Sequence, residues 1–290
     1  MPTLSVVIAT TDGGVALTAV LDSITEQTLA VGGEVLLVAS ARARLPPEID
    51  GSRVRIHTVQ CADVFGLRAA GVAAATGATI AVTEDHVLVG DDWARLTLRA
   101  HAERPEAGAV GGPVENGSRD RLTDWANFLM TFGSFLRPIT AARHQRLPAI
   151  ANLSIKRSAL PERALGPGEL EFVVLPQLAA AARLAFDDGP LVWHLQSHRP
   201  FATMCMHFHN GRVSNSITGV GQPRPGWSPC GRLRRLRQLV TDALVTVRER
   251  PLPLRARASL PMILLLCTAH VAGEWVGDGL GPGRSAERLV

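Results

Sequence analysis

The chain has 290 residues, of which 46% are apolar, 19% charged and 4% aromatic, with 27 Gly, 19 Pro and no Tyr. That length fits one large domain or two small ones, and this apolar share without long polar low-complexity runs excludes a mainly disordered or collagen-like chain. The formal charge is +4, but it is local: Arg224 to Arg257 hold nine Arg against Asp242 and Glu249, while the rest of the chain is net acidic. One basic patch near the C-terminus points to a single anionic contact zone and away from nucleic acid as a partner.

Cys61, Cys205, Cys230 and Cys267 form no C-x-x-C pair, so reduced thiols are expected rather than a zinc knuckle or a dense disulfide framework. The opening run Met1-Pro2-Thr3-Leu4-Ser5-Val6-Val7-Ile8 lacks a basic n-region and turns polar by Thr10, which reads as a buried strand and not as a secretion signal. A cytoplasmic protein is the expectation.

Leu4–Ala9 is a β-branched run, followed by the loop and capping residues Thr10-Thr11-Asp12-Gly13-Gly14 and then by Val15, Leu17, Val20, Leu21 and Ile24 at helical spacing. Further strands are expected at Glu34–Ala39 and Val54–Val59, the β-α-β alternation of a parallel sheet covered by helices. Val64–Ala75 reads as a closely packing helix with Gly and Ala, and Thr79–Thr83 as a fourth strand that stops at Glu84-Asp85-His86. A helix is expected over Asp92–Ala102, a strand over Ala109–Val114, a polar loop over Glu115–Asp120 and a helix over Leu122–Leu136. Ala149–Lys156, Val173–Ala182, Leu184–Phe186 and Leu191–His194 continue as a mixed half of helix and strand pieces, with His198, His207 and His209 in a loop. Arg232–Arg257 forms a basic amphipathic pattern interrupted by Pro251 and Pro253. Leu260–Val276 is apolar but contains Pro261, His270 and Glu274, and its 17 residues sit at the lower edge of the roughly 17–25 that span a bilayer. Lying on a membrane and packing as a core or dimer helix are both open for it.

In an open α/β sheet the ligand lies beyond the carboxyl ends of the strands, where the strand order reverses. Two polar clusters, Thr10–Asp12 and Glu84–His86, fall at such ends. Two carboxylates and an imidazole in consecutive positions offer oxygen and nitrogen ligands to Mn2+ or Mg2+, a cation that would neutralise a diphosphate. The competing reading is a helix cap or an exposed loop with unrelated acids.

The run Gly66-Leu67-Arg68-Ala69-Ala70-Gly71, Ala74 and Gly77, then Ile80 to His86 and Trp93, resembles the family-2 glycosyltransferases of the GT-A fold. Ser5 to Asp12 resembles the first strand and uridine-side loop of that family, and Leu21-Asp22-Ser23-Ile24 with Gln27 its first helix. Gly111-Gly112-Pro113, Asn152 to Arg157, Glu169–Leu178 and Val192-Trp193-His194 follow in the family's order, so the resemblance covers roughly residues 4–212. It departs at three points: Leu36 to Ser40 ends without an acid, His86 stands where the last Asp of the metal motif belongs, and Glu169-Leu170-Glu171 replaces a Glu-Asp pair.

The resemblance implies an α/β, GT-A-like (Rossmann-like), mostly parallel sheet flanked by helices, with a C-terminal helical tail. Residues 1–225 would form the glycosyltransferase domain, with a nucleotide-sugar half at 1–105 and an acceptor half at 106–225, and 226–290 the basic and apolar tail. The implied reaction is metal-dependent, inverting transfer from a nucleotide-diphosphate sugar to an unknown acceptor, a glycan or a lipid-linked molecule. Asp85 and His86 would be the inner ligands of Mn2+ or Mg2+, with Glu84 on the ribose or the metal and His194 completing the metal shell or touching the diphosphate. Thr10 and Asp12 would face the base or ribose, Arg68 would contact the diphosphate or hold the acidic loop, and Asp85 would also belong to the nucleotide-sugar site. An inverting transfer needs a carboxylate that takes the acceptor proton, with Glu171 the first choice and Glu169 the alternative. The tail would hold the protein peripherally on an anionic membrane surface at the inner face of the cell membrane. Two other readings stand: a non-catalytic nucleotide-sugar-binding protein, and a nucleotidyltransferase, which Thr10–Gly14 disfavours by lacking a basic residue in the phosphate loop.

Overall fold

In a computed structural model the described residues are 2–61, 63–139, 147–218 and 229–289. They form two compact units, one from Met1–Glu115 and Phe135–Leu195, the other from Asn116–Ser134 and Gln196–Val290.

The first unit is built on β1 (Leu4–Thr10), β2 (Glu34–Ser40), β3 (Val54–Val59), β4 (Thr79–Glu84), β6 (Ala109–Gly111), β8 (Leu153–Lys156) and β9 (Leu184–Phe186). They make a seven-stranded sheet in the order β3-β2-β1-β4-β8-β6-β9. The first four strands are parallel, β8 runs antiparallel to β4 and β6, and β9 is parallel to β6. Every residue of β1 is buried, as a central parallel strand with helices on its faces requires. Val7 and Ala9 join a core with Val38, Leu67, Val72 and Val82, whereas the equally buried Val6 and Ile8 point to the opposite face by the two-residue alternation of a strand.

Helix α2 (Val64–Ala74) lies against β1 and β2 with Gly71 at the contact: a Cβ there would sit 2.3 Å from Val7 Cγ1 and 2.9 Å from Val38 Cγ2. Asp63 caps α2 by accepting the Gly66 amide at 2.9 Å. Helices α1 (Leu17–Ala30) and α3 (Trp93–Glu103) accompany the β1–β4 half, and β5 (Val87–Val89), β7 (Val114–Asn116) and β10 (Val192–His194) form a small sheet in the order β5-β10-β7.

Several expectations are corrected in detail. Val15 lies before α1 and is fully exposed. The single strand expected at Ala109–Val114 is two strands in different sheets, broken at Gly112-Pro113, because Pro113 has no amide to donate to a ladder. The helical piece expected at Val173–Ala182 begins earlier, as a π-turn over Leu170–Val174 running into α5 (Leu175–Ala180).

The second unit contains α4 (Leu122–Thr131), α6 (Pro200–Thr218), α7 (Pro229–Glu249), α8 (Leu254–Ala258) and α9 (Leu260–Leu280). His207 and His209 sit on α6, a helix, and not in a loop. Gly211 and Gly273 let α6 and α9 touch backbone to backbone: a Cβ on Gly211 would lie 2.1 Å from the His270 carbonyl oxygen, and one on Gly273 1.9 Å from that of Phe208. Pro261 does not interrupt α9, since it stands in the first turn, where no intrahelical amide bond is lost. Glu274, buried on α9, is paired with Arg235 at 3.2 Å and His270 at 3.4 Å.

His101 on α3 locks the far side of the sheet. It is buried, its Nε2–H donates to Ser154 Oγ at 2.9 Å, and that hydroxyl donates to the Val110 carbonyl at 3.2 Å. Burial, and then the Lys156 charge, push its pKa from 6.5 down to about 4. The unfolded chain therefore takes up this proton at a higher pH than the folded one, so stability is full above pH 6.5 and declines as pH falls toward 4. Urea denaturation across that window should show the wild type losing up to on the order of 3 kcal/mol more than His101→Leu. Parallel pH profiles for the two proteins would contradict this assignment.

Candidate functional site

The order of the parallel strands reverses between β1 and β4, whose carboxyl ends lie side by side with Ala9 opposite Glu84. Beyond β4 the chain turns through Asp85 and His86 and returns as β5, which pairs antiparallel with β10 so that His194 lies opposite Val87. The Leu195 amide donates to the His86 carbonyl at 2.8 Å and fixes this turn. Asn152 holds the β10 loop from the other side, donating to the carbonyls of Pro113 at 2.8 Å and Pro190 at 2.6 Å while accepting Trp93 Nε1–H at 3.0 Å. Gly112 is needed there, because a Cβ on it would stand 2.3 Å from Asn152 Nδ2.

The result is a tight cluster of donors. His86 Nε2 and His194 Nε2 are 3.1 Å apart, His194 Nε2 is 3.2 Å from Glu84 Oε2, and His86 Nε2 is 3.6 Å from the same oxygen. Among the described residues these three form the one group of His, Cys, Asp or Glu whose ligand atoms all converge within 4.8 Å. Bonds of roughly 2.0–2.2 Å in tetrahedral or octahedral geometry place neighbouring donors about 3.0–3.6 Å apart, so the spacing fits a bound cation. Of the two acids that the resemblance offers to a metal, Glu84 joins His86 and His194 in this group and Asp85 does not. The carboxylate of Asp85 turns instead to His86 Nδ1, at 2.7 Å, and to Thr10 Oγ1, at 2.5 Å.

Arg68, buried on α2 one turn before Gly71, reaches two carboxylates at once: Nη2 donates to Glu84 Oε1 at 2.7 Å and Nη1 to Glu171 Oε1 at 3.1 Å. It therefore holds the acids, and Glu171 is brought to the cluster by the π-turn that carries it. Burial opposes the charge on Glu84, but the His194 hydrogen bond and the charges of Arg68 and His86 outweigh it and hold its pKa well below the usual carboxylate range. Burial likewise opposes protonation of His86, yet the hydrogen bond to Asp85 and the Glu84 and Asp85 charges raise its pKa. His194 goes the other way, depressed by burial and by the His86 charge against the pull of Glu84.

The remaining sequence-selected residues lie apart from the donors. Asp12 is exposed on the loop after β1, where its carboxylate accepts the Gly14 amide at 3.0 Å. That loop passes close to the cluster, since a Cβ on Gly14 would be 3.2 Å from Asp85 Oδ2. Glu169 is not part of the cluster: it forms a two-pronged pair with Arg163 at 2.6 and 3.0 Å and accepts the Gly166 amide at 2.7 Å.

Because Arg68 is the shared partner of the buried Glu171 and the largely covered Glu84, its removal leaves both acids without their guanidinium. Arg68→Met should lower stability by about 3–5 kcal/mol in chemical denaturation, and adding Glu171→Gln should recover part of that loss. A loss below about 1 kcal/mol would show that the bridge is exposed to solvent in solution.

No protein-family model and no curated protein matches the sequence. A mannosyltransferase from Pyrobaculum calidifontis, solved in complex with GDP-Man and Mn2+, is similar over 94% of this chain and 87% of that one, with a TM-score of 0.54 and 14% identity. A glucosyl-3-phosphoglycerate synthase from Mycobacterium tuberculosis, solved with Mn2+, UDP-glucose and phosphoglyceric acid, is similar over 68% of this chain and 73% of that one, with a TM-score of 0.47 and 16% identity, too slight a likeness to argue from. The strand order, the polar cluster at its β1/β4 reversal and the likeness to the mannosyltransferase establish that this chain has the GT-A glycosyltransferase fold.

Proposed function

We propose that this protein is a metal-dependent, inverting glycosyltransferase that moves a sugar from a nucleoside-diphosphate sugar to a hydroxyl acceptor. The observation that carries the reading is the convergence of Glu84, His86 and His194 at the strand-order reversal of a GT-A sheet. A divalent cation bound there would offset the charge of the diphosphate leaving group as the glycosidic bond breaks. Thr10 and the Asp12–Gly14 turn border the same place, where the nucleoside would lie across the carboxyl ends of β1 and β4. Arg68 keeps the Glu84 carboxylate aimed at the donor cluster. Glu171 supplies the base: its Oε1 is tied to Arg68, while Oε2 has no hydrogen-bond partner and is the atom that would accept the proton of the attacking hydroxyl. Glu169 is already held by Arg163 and is the weaker choice.

Two imidazoles among three donors suit Mn2+ better than the harder Mg2+, which prefers oxygen ligands. Titration calorimetry should give Mn2+ at least about tenfold tighter than Mg2+, with binding lost in Glu84→Gln and in His194→Ala. GDP-mannose, the donor in the structurally similar mannosyltransferase, opens the donor screen. Glu171→Gln should retain Mn2+ and nucleotide binding while slowing transfer by roughly 10²–10⁴-fold, and the product's anomeric configuration, read by NMR, should be opposite to the donor's. Binding without turnover across the donor panel would favour a non-catalytic nucleotide-sugar-binding protein.

We also propose that the helical unit rests on an anionic membrane surface. α9 is long and apolar enough to cross a bilayer by length and composition alone, with 39% of its apolar window buried. Its uncovered side runs through Pro261, Leu264, Leu265, Thr268 and Trp275 and meets a charge only at Asp278 in the last turn, and its covered side carries Glu274 paired to Arg235, which suits a helix lying flat. The adjoining α7 exposes Arg234, Arg237 and Arg248, and Arg232 lies 4.3 Å over the Trp275 ring. Each such Arg is attracted to anionic headgroups by about 1 kcal/mol. Sedimentation with phosphatidylglycerol vesicles should bind the wild type and release it in high salt or on Arg234/Arg237/Arg248→Gln. Equal binding to neutral phosphatidylcholine vesicles would contradict the charge argument.

A further inference from the structure

We propose that Asp85 is a positioning residue for His86, clamped in place by Thr10, and not a ligand of the cation. This rests on the metal-site reading above. Both oxygens of Asp85 are engaged away from the donor triangle, Oδ1 with His86 Nδ1 at 2.7 Å and Oδ2 with Thr10 Oγ1 at 2.5 Å. A carboxylate only accepts, so Nδ1 of the neutral ring carries the hydrogen and the lone pair is confined to Nε2, which faces His194 Nε2 and Glu84 Oε2. Thr10 is itself fixed: it is buried at the end of β1 and its Oγ1 accepts the Gly13 amide at 3.0 Å, which directs its hydroxyl hydrogen to Asp85. The chain from the β1 terminus to the imidazole is thus Gly13 amide, Thr10 hydroxyl, Asp85 carboxylate, His86 ring, with each group having one orientation open to it. Carboxylates that orient ligating histidines typically contribute 10–100-fold to metal affinity.

The tautomer gives a readout that needs no metal. In metal-free protein held in alkaline buffer, where the imidazole is neutral, long-range 1H–15N correlation should show His86 with its hydrogen on Nδ1, the signal being assigned by its loss in His86→Gln. Asp85→Ala should move the population toward the Nε2–H form, and Thr10→Val should do so in part. Mn2+ titration should show affinity falling about 10–100-fold in Asp85→Ala and less in Asp85→Asn, whose amide oxygen can still accept from Nδ1. Thr10→Val/Asp85→Ala should be no weaker than Asp85→Ala alone. The Co2+ absorption spectrum should keep its shape in Asp85→Ala and change in Glu84→Ala, where a donor is lost. An Nε2–H tautomer in the wild type, or a Co2+ spectrum altered by Asp85→Ala as it is by Glu84→Ala, overturns the proposal. The expected tautomer shift in a protein that binds neither Mn2+ nor Co2+ would instead overturn the metal reading and leave the positioning role standing.

Discussion

The guanidinium of Arg68 is the constraint on which the cluster depends. It is buried, and it faces Glu84 with one nitrogen and Glu171 with the other. Bringing two carboxylates out of water is costly unless a charge partner with matched geometry is present, and the rigid fork of an arginine serves two acids from one position. The two acids come from distant parts of the chain, one ending β4 and the other in the π-turn before α5. Arg68 therefore joins the metal-facing carboxylate to the proposed base, and a change at either is felt by the other.

What places Arg68 is packing and not polarity. α2 can approach the sheet closely enough for this reach only because Gly71, three residues on and on the same helical face, leaves no Cβ between the helix and Val7 and Val38. A glycine inside a helix costs about 1 kcal/mol against alanine, and here the cost is offset by burial of Leu67 and Val72 against the strands. The same device recurs at Gly112, which admits the Asn152 amide, and at Gly211 and Gly273, which admit neighbouring carbonyls between α6 and α9. Close approach at glycine sets the positions of the elements, and the charged groups then meet at the distances those elements allow.

The half of the fold built on β1 to β4 is legible because the buried parallel strands β1, β2 and β4 write themselves as nearly unbroken apolar runs, which place them, with α2, to within one residue; the mostly exposed edge strand Val54–Val59 shows instead through its β-branched Val54, Ile56, Thr58 and Val59. The later half was harder. Strands of three residues carry no period, and Gly112-Pro113 splits one apolar run between two sheets. The helix α6 is hidden in the sequence by Pro200, Gly211 and three histidines or asparagines in a row of four, polar residues that the bundle nonetheless buries, as it does His207 with its Nε2 on Asn127 Oδ1 at 2.8 Å. At the cluster, the residue types were legible and their roles less so. That Glu84 and His86 converge while Asp85 faces Thr10 depends on the turn after β4, and the meeting with His194 spans 108 positions, a separation for which a sequence offers no local signal. Glu169 and Glu171 look equivalent as text, yet Arg163 takes one and Arg68 the other.

The charges at the cluster also indicate what it is built to hold. Glu84 and Glu171 share the single guanidinium of Arg68 while Asp85 faces His86, so carboxylates outnumber the guanidinium in a place where few of their atoms meet water. An unbalanced buried charge is not sustained by hydrogen bonds alone. The raised pKa of His86 is one response, since a proton on that ring supplies part of the missing charge. The opposite tendency of His194 favours a neutral second imidazole, whose Nε2–H donates to Glu84 and which would ligate a cation through that nitrogen as its Nδ1–H tautomer. A divalent cation between Glu84, His86 and His194 would have the sign that this excess calls for. Because two of the three donors are uncharged, such a cation would retain positive charge toward the solvent side, which is what a diphosphate arriving at the ends of β1 and β4 would require.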